Sequence, residues 1–389
     1  MSFFSIGKIF GAVLLASVLA GCQTLGGLFS DDESIPPSEL VEFTPTLNVS
    51  NVWSTNAVDG VGRSRPAIGL DFFDEKIWAA DESGRVVGLN AQTGRVEARF
   101  DTGLSISAGP RVEGEHLLVG TFDGEVALLD RTDGSVVWKQ NVSSEVLAAP
   151  IVSDGKVIAR VLDGRIYGFD RATGRRDWVY DRSVPLLTLR GNSTPIARAG
   201  RVYIGFDDGV VIALRSEDGQ MIWEQRVSEP EGRTELERMT DIDGPMAIVG
   251  TELYVVSYKG RMASLALESG RLLWVKDVSA EQGVSLRRTE LAVADRDDAV
   301  WLVDRRNSTT LWRDDRLERR DITRPVFYNN FLVTTDFEGY MHWLDAESGD
   351  FVARTRIGGD PAQGAPLVIG NTLYVLDIKG RISAWQARP

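Results

Sequence analysis

The chain has 389 residues and a formal net charge of −13, with one cysteine and two histidines. A negative balance of this size argues against nucleic acid as a partner and against electrostatic attachment to anionic lipid. One cysteine excludes an intramolecular disulfide, and two histidines are fewer than the three or four ligands that a zinc site normally uses.

The N-terminus carries the features of a secretion signal, predicted to span residues 1–21. Its apolar run, residues 9–20, is too short to cross a bilayer as a mature helix. The run ends in Leu-Ala-Gly-Cys, which resembles a bacterial lipobox and predicts a lipidated N-terminal Cys22. Several acyl chains on one residue are enough for stable membrane anchoring. Gln23, not aspartate, follows the cysteine, and among lipoproteins this implies sorting to the outer membrane.

Residues 22–47 are predicted to be a flexible tether after the lipidated cysteine. The segment is rich in glycine, serine, proline and acidic residues, a composition typical of linkers. Loss of the signal peptide removes one lysine and no acidic residue, so the mature chain carries −14. We therefore expect the lipid, and not surface charge, to hold the protein at the membrane.

From residue 84 onward, one sequence unit recurs. It begins at a glycine, has a second glycine ten residues later and a tryptophan four residues after that, as in Gly124, Gly134 and Trp138. Eight copies, some degenerate, start at 84, 124, 164, 209, 260, 298, 339 and 380. A period of roughly 40 to 45 residues is the range expected of propeller blades.

Each copy reads as four strands. A proline opens seven of the eight copies and is followed by a short apolar run, an alternating strand and the strand that carries tryptophan. Several copies have Asp-Gly between the first apolar run and the alternating strand, a hairpin signal that implies positive φ at both turn residues. We therefore predict an all-β fold, an eight-bladed β-propeller of four-stranded antiparallel blades spanning residues 48–389.

The last copy ends before its tryptophan strand. The chain start supplies a candidate for that strand in residues 48–53, which end at Trp53. We predict that Trp53 is the tryptophan of blade eight and that the N-terminal strand closes the ring. The alternative is that Trp53 is an ordinary core tryptophan in an N-terminal cap.

The repeat resembles the PQQ-like (pyrroloquinoline quinone enzyme) β-propeller repeat over residues 49–389. Quinone dehydrogenases of that family hold their cofactor with a vicinal disulfide, stacked tryptophans and a calcium site. One cysteine cannot form that disulfide, and the aspartates here stand at regular blade positions where turn formation explains them. No nucleophile elbow, P-loop or Cys-His arrangement is present. We expect no quinone cofactor, no metal and no catalysis; a quinone-binding periplasmic enzyme remains the alternative.

Two connections between blades are longer than the others. They run from Trp178 to Pro195 and from Trp223 to Pro245, and alternating strand directions place both on the face of the Asp-Gly turns. Long loops on a rigid scaffold often carry function. The first has three leucines and an arginine, which suit a small anchor on a partner, or alternatively leucines that fold inward. The second contains Asp241 and Asp243, for which turn formation or strand capping is the alternative.

Lipobox, acidic tether, eight PQQ-like repeats and a Leu-x-Leu-Arg-Gly loop together resemble the BamB family, lipoproteins of the outer-membrane β-barrel assembly (BAM) machinery. In that family a Leu-x-Leu-Arg segment and an Asp-x-Asp segment help to dock the propeller onto a periplasmic POTRA domain of BamA. The resemblance implies the partner-binding residues Leu187, Leu189, Arg190, Asp241 and Asp243.

The same resemblance implies a non-enzymatic scaffold, anchored by lipid on the periplasmic face of the outer membrane, that assists folding and insertion of β-barrel proteins. The two aspartates then pair with basic partner residues or orient Arg190 within the loop. A chaperone-like holder of unfolded β-strands, acting by strand addition to a blade edge, is a further alternative.

Overall fold

The computed structural model describes residues 35–60, 67–185, 187–188 and 193–388. The described residues from Ser38 onward form one unit. Regular structure in the described residues consists of β-strands. Those residues contain no helix long and apolar enough to cross a membrane. The predicted signal peptide and Cys22 lie outside the described residues.

The strands form eight antiparallel blades of four strands each, so the predicted eight-bladed β-propeller is confirmed. We number the strands β1 to β33 in chain order. Blades one to four consist in turn of β3 to β18, which are Asp71–Phe73, Lys76–Ala80, Arg85–Asn90, Val96–Asp101; Ile106–Glu113, His116–Thr121, Glu125–Asp130, Val136–Asn141; Ile151–Ser153, Lys156–Arg160, Ile166–Asp170, Arg176–Tyr180; Ile196–Arg198, Arg201–Gly205, Val210–Arg215, Met221–Arg226.

Blades five to seven follow in the same order, and blade eight takes its fourth strand from the start of the chain. The strands of blades five to eight are Ala247–Val249, Glu252–Val256, Met262–Ala266, Leu272–Lys276; Ser285–Arg287, Glu290–Ala294, Val300–Asp304, Thr310–Asp314; Val326–Tyr328, Phe331–Thr335, Tyr340–Asp345, Phe351–Arg356; Leu367–Ile369, Thr372–Leu376, Arg381–Arg388 and β1, Asn48–Asn56. The two-residue strand β2, Ala67–Ile68, pairs in parallel with β7 of blade two.

The core lies between blades. Eight apolar clusters fill the structure, each built from two successive blades, and one of them joins blade eight to blade one. Stacking therefore covers both faces of every blade, which a single blade cannot do alone. The outermost strands keep one face towards solvent; in β10, for example, four of the six residues are exposed and Trp138 is buried.

The Asp-Gly turns differ from the prediction in their backbone conformation. Gly124, Gly164 and Gly209 have φ of 70°, 91° and 74°, but the aspartate before each is not among the residues with positive φ. Gly124 N donates to Thr121 O at 3.3 Å, so the glycine is the last residue of a four-residue turn. The prediction of positive φ at both turn residues was wrong, because the hairpin loop is longer than a two-residue turn.

In six of the eight blades the recurrent tryptophan contacts the next blade, and we call this the inter-blade tryptophan contact. Its indole N–H donates to a main-chain carbonyl of the following blade, and in every case except Trp274 its ring covers the second glycine of that blade's repeat. The donor–acceptor pairs are Trp53 to Ala91 (2.9 Å), Trp138 to Arg171 (2.8 Å), Trp178 to Ser216 (3.1 Å), Trp223 to Leu267 (3.1 Å), Trp274 to Arg305 (2.7 Å) and Trp312 to Ala346 (3.0 Å). A Cβ at Gly174 would lie 2.6 Å from the Trp138 ring, so the repeat requires glycine there.

The N-terminal strand closes the ring as predicted. β1 pairs antiparallel with β33, with Trp53 opposite Ala384, and Trp53 makes the inter-blade contact from blade eight to blade one. The alternative of an N-terminal cap is thereby excluded.

Packing against the propeller begins before residue 48, where the sequence analysis placed its start. Ser38 O accepts a hydrogen bond from Arg320 Nη1 at 3.0 Å, and Val41 O accepts one from Arg354 Nη1 at 3.0 Å. Phe43 stacks on Phe351 of blade seven with ring centroids 5.7 Å apart. This part of the predicted tether therefore lies along the last blades of the ring.

Candidate docking rim

The two long connections lie side by side on one face of the propeller. We call them together the docking rim, residues 181–195 between blades three and four and residues 227–246 between blades four and five. Val227 N donates to Gly209 O at 2.8 Å, and Arg182 Nη2 donates to Asp208 Oδ2 at 2.7 Å. Both connections therefore contact the Asp-Gly turn of blade four, as the strand directions predicted.

A cavity of about 370 Å³ opens between the two connections. Both connections and the blade-four turn contribute to its wall, which mixes apolar and charged side chains. The lining residues are Pro185, Leu187, Asp207, Asp208, Pro230, Glu235, Arg238 and Met239. The rim is thus a concave surface shared by adjacent blades.

Leu187 is exposed on this surface. The residue is 42% exposed, and it lines the cavity. The alternative that the leucines of this loop fold inward is therefore wrong for Leu187. Leu189 and Arg190 lie outside the described residues.

Ile242, which lies between the two aspartates, holds their segment in place by packing into the core. Ile242 is fully buried, and its main-chain N–H donates to Phe206 O at 3.2 Å. A Cβ at Gly205 would lie 2.4 Å from Ile242 Cγ2, so blade four needs glycine at this point to admit the isoleucine. Tight packing of Ile242 places the flanking aspartates beneath the rim.

Asp241 and Asp243 are both directed into the protein. Asp241 is 1% exposed, and Asp241 O accepts a hydrogen bond from Tyr258 N at 2.8 Å. Both carboxyl oxygens of Asp243 are buried, and neither accepts a hydrogen bond from the part of the chain that the structure describes. Burial raises the pKa of Asp243 to about 8; Arg160 opposes that rise, and Asp207 and Asp241 reinforce it.

A buried ion pair lies next to these aspartates. Arg160, at the end of β12 in blade three, is fully buried with its Nη2 2.5 Å from Asp207 Oδ1 in blade four. Its Nε and Nη1 find no acceptor among the described residues. The Phe206 ring lies between Arg160 and Arg182, whose guanidinium carbons are 5.1 and 5.0 Å from its centroid.

Sequence reasoning missed this pair, although the repeat frame contained a signal for it. Arg160 stands four residues before Gly164, and at this place the other copies have only small, apolar or hydroxyl residues: Ala80, Gly120, Gly205, Val256, Ala294, Thr335 and Leu376. A lone arginine at a core position of one blade predicts a carboxylate in a neighbouring blade. The docking rim thus combines an exposed apolar surface with buried charged groups, some of whose donors and acceptors form no hydrogen bond within the described chain.

The fold defines a class, the PQQ-like β-propellers. Residues 82–314 match the family described as "Outer membrane protein assembly factor BamB". A protein of that description from Xanthomonas campestris pv. campestris is 36% identical, over 96% of each chain. One from Pseudomonas aeruginosa is 37% identical, over 97% of this chain and 98% of the relative.

The chain therefore belongs to the BamB family. A solved structure agrees with this assignment: the crystal structure of BamB from Moraxella catarrhalis superimposes with a TM-score of 0.79. It is 27% identical and covers 87% of this chain and all of that one.

Proposed function

We propose that this protein is a non-enzymatic scaffold of outer-membrane protein assembly, and that its docking rim binds a POTRA domain of BamA. The relatives are named outer membrane protein assembly factors. The observation that supports a docking role is the rim itself, where two long connections from adjacent blades form one concave surface with Leu187 exposed on it. An exposed leucine over a rigid scaffold is a typical anchor for a protein partner.

The two aspartates act from beneath this surface in our proposal. A buried carboxylate is poorly placed to reach a partner side chain, and Asp241 is almost fully buried. This favours the second role considered for them, orientation of Arg190 within the rim. Arg190 then presents its remaining guanidinium donors to a carboxylate or main-chain carbonyls of the partner.

The same proposal places the protein on the periplasmic face of the outer membrane, anchored by lipid on Cys22. The Leu-Ala-Gly-Cys sequence followed by Gln23 supports this location. Mass spectrometry of the mature N-terminus tests it, with diacylglyceryl and acyl groups expected on Cys22. An unmodified Cys22, or a mature chain that starts elsewhere, would contradict the anchor.

Co-purification of BamA from solubilised envelopes tests the docking rim. We compare Leu187→Ala, Leu189→Ala, Arg190→Ala and Asp243→Ala with the matched control Leu311→Ala, an exposed leucine on the outer strand of blade six. Truncation of Arg190 should cost about 2 kcal/mol or more of binding free energy if it is a hot spot. The control should retain binding. Full binding by all four folded rim variants would place the docking surface elsewhere.

Holding of unfolded strands is a second candidate function, supported by the outer edges of the blades. The edge strands of six blades each expose an apolar side chain: Val52, Val137, Val179, Ile222, Leu273 and Leu311. Exposed apolar edges accept an added strand. Crosslinking from these positions to a denatured β-barrel protein is the test, and absence of edge crosslinks would remove this candidate.

A further inference from the structure

The propeller axis holds a second cavity, apart from the one between the two long connections of the docking rim. Residues from all eight blades, or from the connections that lead into them, line it in adjoining compartments of about 270 and 390 Å³. Pro245 and Arg324 border both compartments. The wall is otherwise built largely from the prolines, glycines and apolar residues at the starts of the inner strands.

Arg324 is the unusual member of this wall. Its Nη1 donates to Ser285 Oγ at 2.5 Å, and this is its one hydrogen bond to the described residues. No described carboxylate forms a salt bridge with it, and burial lowers the pKa of its guanidinium with no acidic neighbour to oppose the shift. By contrast, the buried Arg160 and Arg320 each pair with an aspartate.

The guanidinium of Arg324 has no carboxylate partner among the described residues, and the chain has acidic residues in excess. Asp71, the acidic residue in the wall of the larger compartment, is engaged elsewhere: its two oxygens accept the main-chain N–H groups of Phe72 at 2.9 Å and Val112 at 2.8 Å. The uncommitted donors of Arg324 therefore face the cavity without an anion from the described part of the chain.

The smaller compartment also provides a second donor and an apolar surface. The side-chain amide of Gln282 lines it and makes no hydrogen bond with the described residues. Gln363, by contrast, donates through Nε2 to Ile68 O at 2.8 Å. Leu70 and Leu367 line the same compartment. A guanidinium fork beside an amide suits a carboxylate, and the leucines suit a short hydrocarbon body.

We infer that the axial cavity binds a small amphipathic carboxylate, its anionic head on Arg324 and Gln282 and its apolar body against Leu70 and Leu367. The ligand is a short-chain organic acid and not free phosphate, because phosphate would leave the apolar wall uncovered. The four residues that hold the ligand lie outside the docking rim, although Pro245 of the rim borders the cavity.

Fluorine NMR of 5,5,5-trifluoropentanoate with the full lipoprotein in detergent micelles tests the inference. We expect saturable binding that pentanoate displaces and that pentanol and inorganic phosphate do not. Arg324→Gln should weaken binding at least about tenfold, since a hydrogen bond to a charged group is lost together with the charge. The matched control Arg261→Gln, at an exposed ion pair with Asp277, should bind like the unaltered protein.

Three results would overturn the inference. Equal binding by Arg324→Gln would mean that the guanidinium does not hold the anion. Equal competition by pentanol would indicate an apolar cavity alone, and equal competition by phosphate would remove the assignment to an organic acid. Circular dichroism of Arg324→Gln checks that the variant is folded, which we expect because Arg324 forms no salt bridge with the described residues.

Discussion

Ring closure depends on the fit of Trp53 against Gly94, and one added methyl group tests it. Gly94 has φ of 68°, and a Cβ there would lie 2.4 Å from Trp53 Cε3. Trp53 cannot simply move away, because its indole N–H is bound to Ala91 O at 2.9 Å. Gly103 is the matched control: its φ is 71°, and a Cβ there would meet nothing within 4 Å.

The two glycines separate backbone strain from packing. Alanine in the left-handed region costs about 1–2 kcal/mol, so Gly103→Ala should lower the free energy of unfolding by that amount. Gly94→Ala carries the same strain plus about 1–3 kcal/mol for the clash with Trp53. We therefore expect a total loss of about 2–5 kcal/mol for Gly94→Ala, with the difference between the variants reporting the closing contact.

Denaturant unfolding followed by circular dichroism measures both losses. Gly94→Ala should also be non-additive with Trp53→Ala, because removal of the indole makes room for the new methyl group. If Gly94→Ala and Gly103→Ala lower the unfolding free energy equally, the closing strand does not depend on this contact and the packing argument fails.

Two further predictions concern the buried charges beneath the rim. The pKa of Asp243 is raised from 3.8 to about 8 in the folded state. Between these pH values the folded chain holds a proton that the unfolded chain has released. The free energy of unfolding therefore falls as the pH rises through this window. Asp243→Asn should remove this loss of stability with pH. Urea unfolding at a series of pH values should show the stability of the variant, relative to the unaltered chain, growing by at most about 1.4 kcal/mol per pH unit. A constant difference from pH 4 to 8 would contradict the raised pKa of Asp243. Arg160→Ala should lower the free energy of unfolding by about 3–5 kcal/mol, because it leaves Asp207 buried without its partner. In thermal unfolding, the double variant Arg160→Met with Asp207→Leu should recover most of this loss. No recovery would show that the broken ion pair is not the cause of the loss.

The periodic features were predictable from the sequence because the same physical demand recurs in every blade. Each glycine-to-tryptophan unit forms a local turn and a contact with the next blade. The number of blades, their order and the role of Trp53 therefore follow from the spacing of these units. Arg160 and Asp207 lie 47 residues apart in different repeats, and only the stacked blades bring them together. The burial of Asp241 depends on the packing of Ile242 against Gly205, which no local pattern specifies.

The inter-blade tryptophan contacts and the proposed docking rim lie on opposite faces of the ring. The inter-blade tryptophan contacts lie at the turns between the third and fourth strands of the blades, whereas the docking rim lies on the face of the Asp-Gly turns and blade connections. Antiparallel strands place these two sets of turns at opposite ends of each blade. The connections after Trp178 and Trp223 can therefore lengthen without disturbing the contacts that hold the ring. It follows that Gly94→Ala should lower stability with BamA binding intact, while Leu187→Ala should weaken binding with stability intact; a variant set in which both properties change together would show that the two faces are coupled.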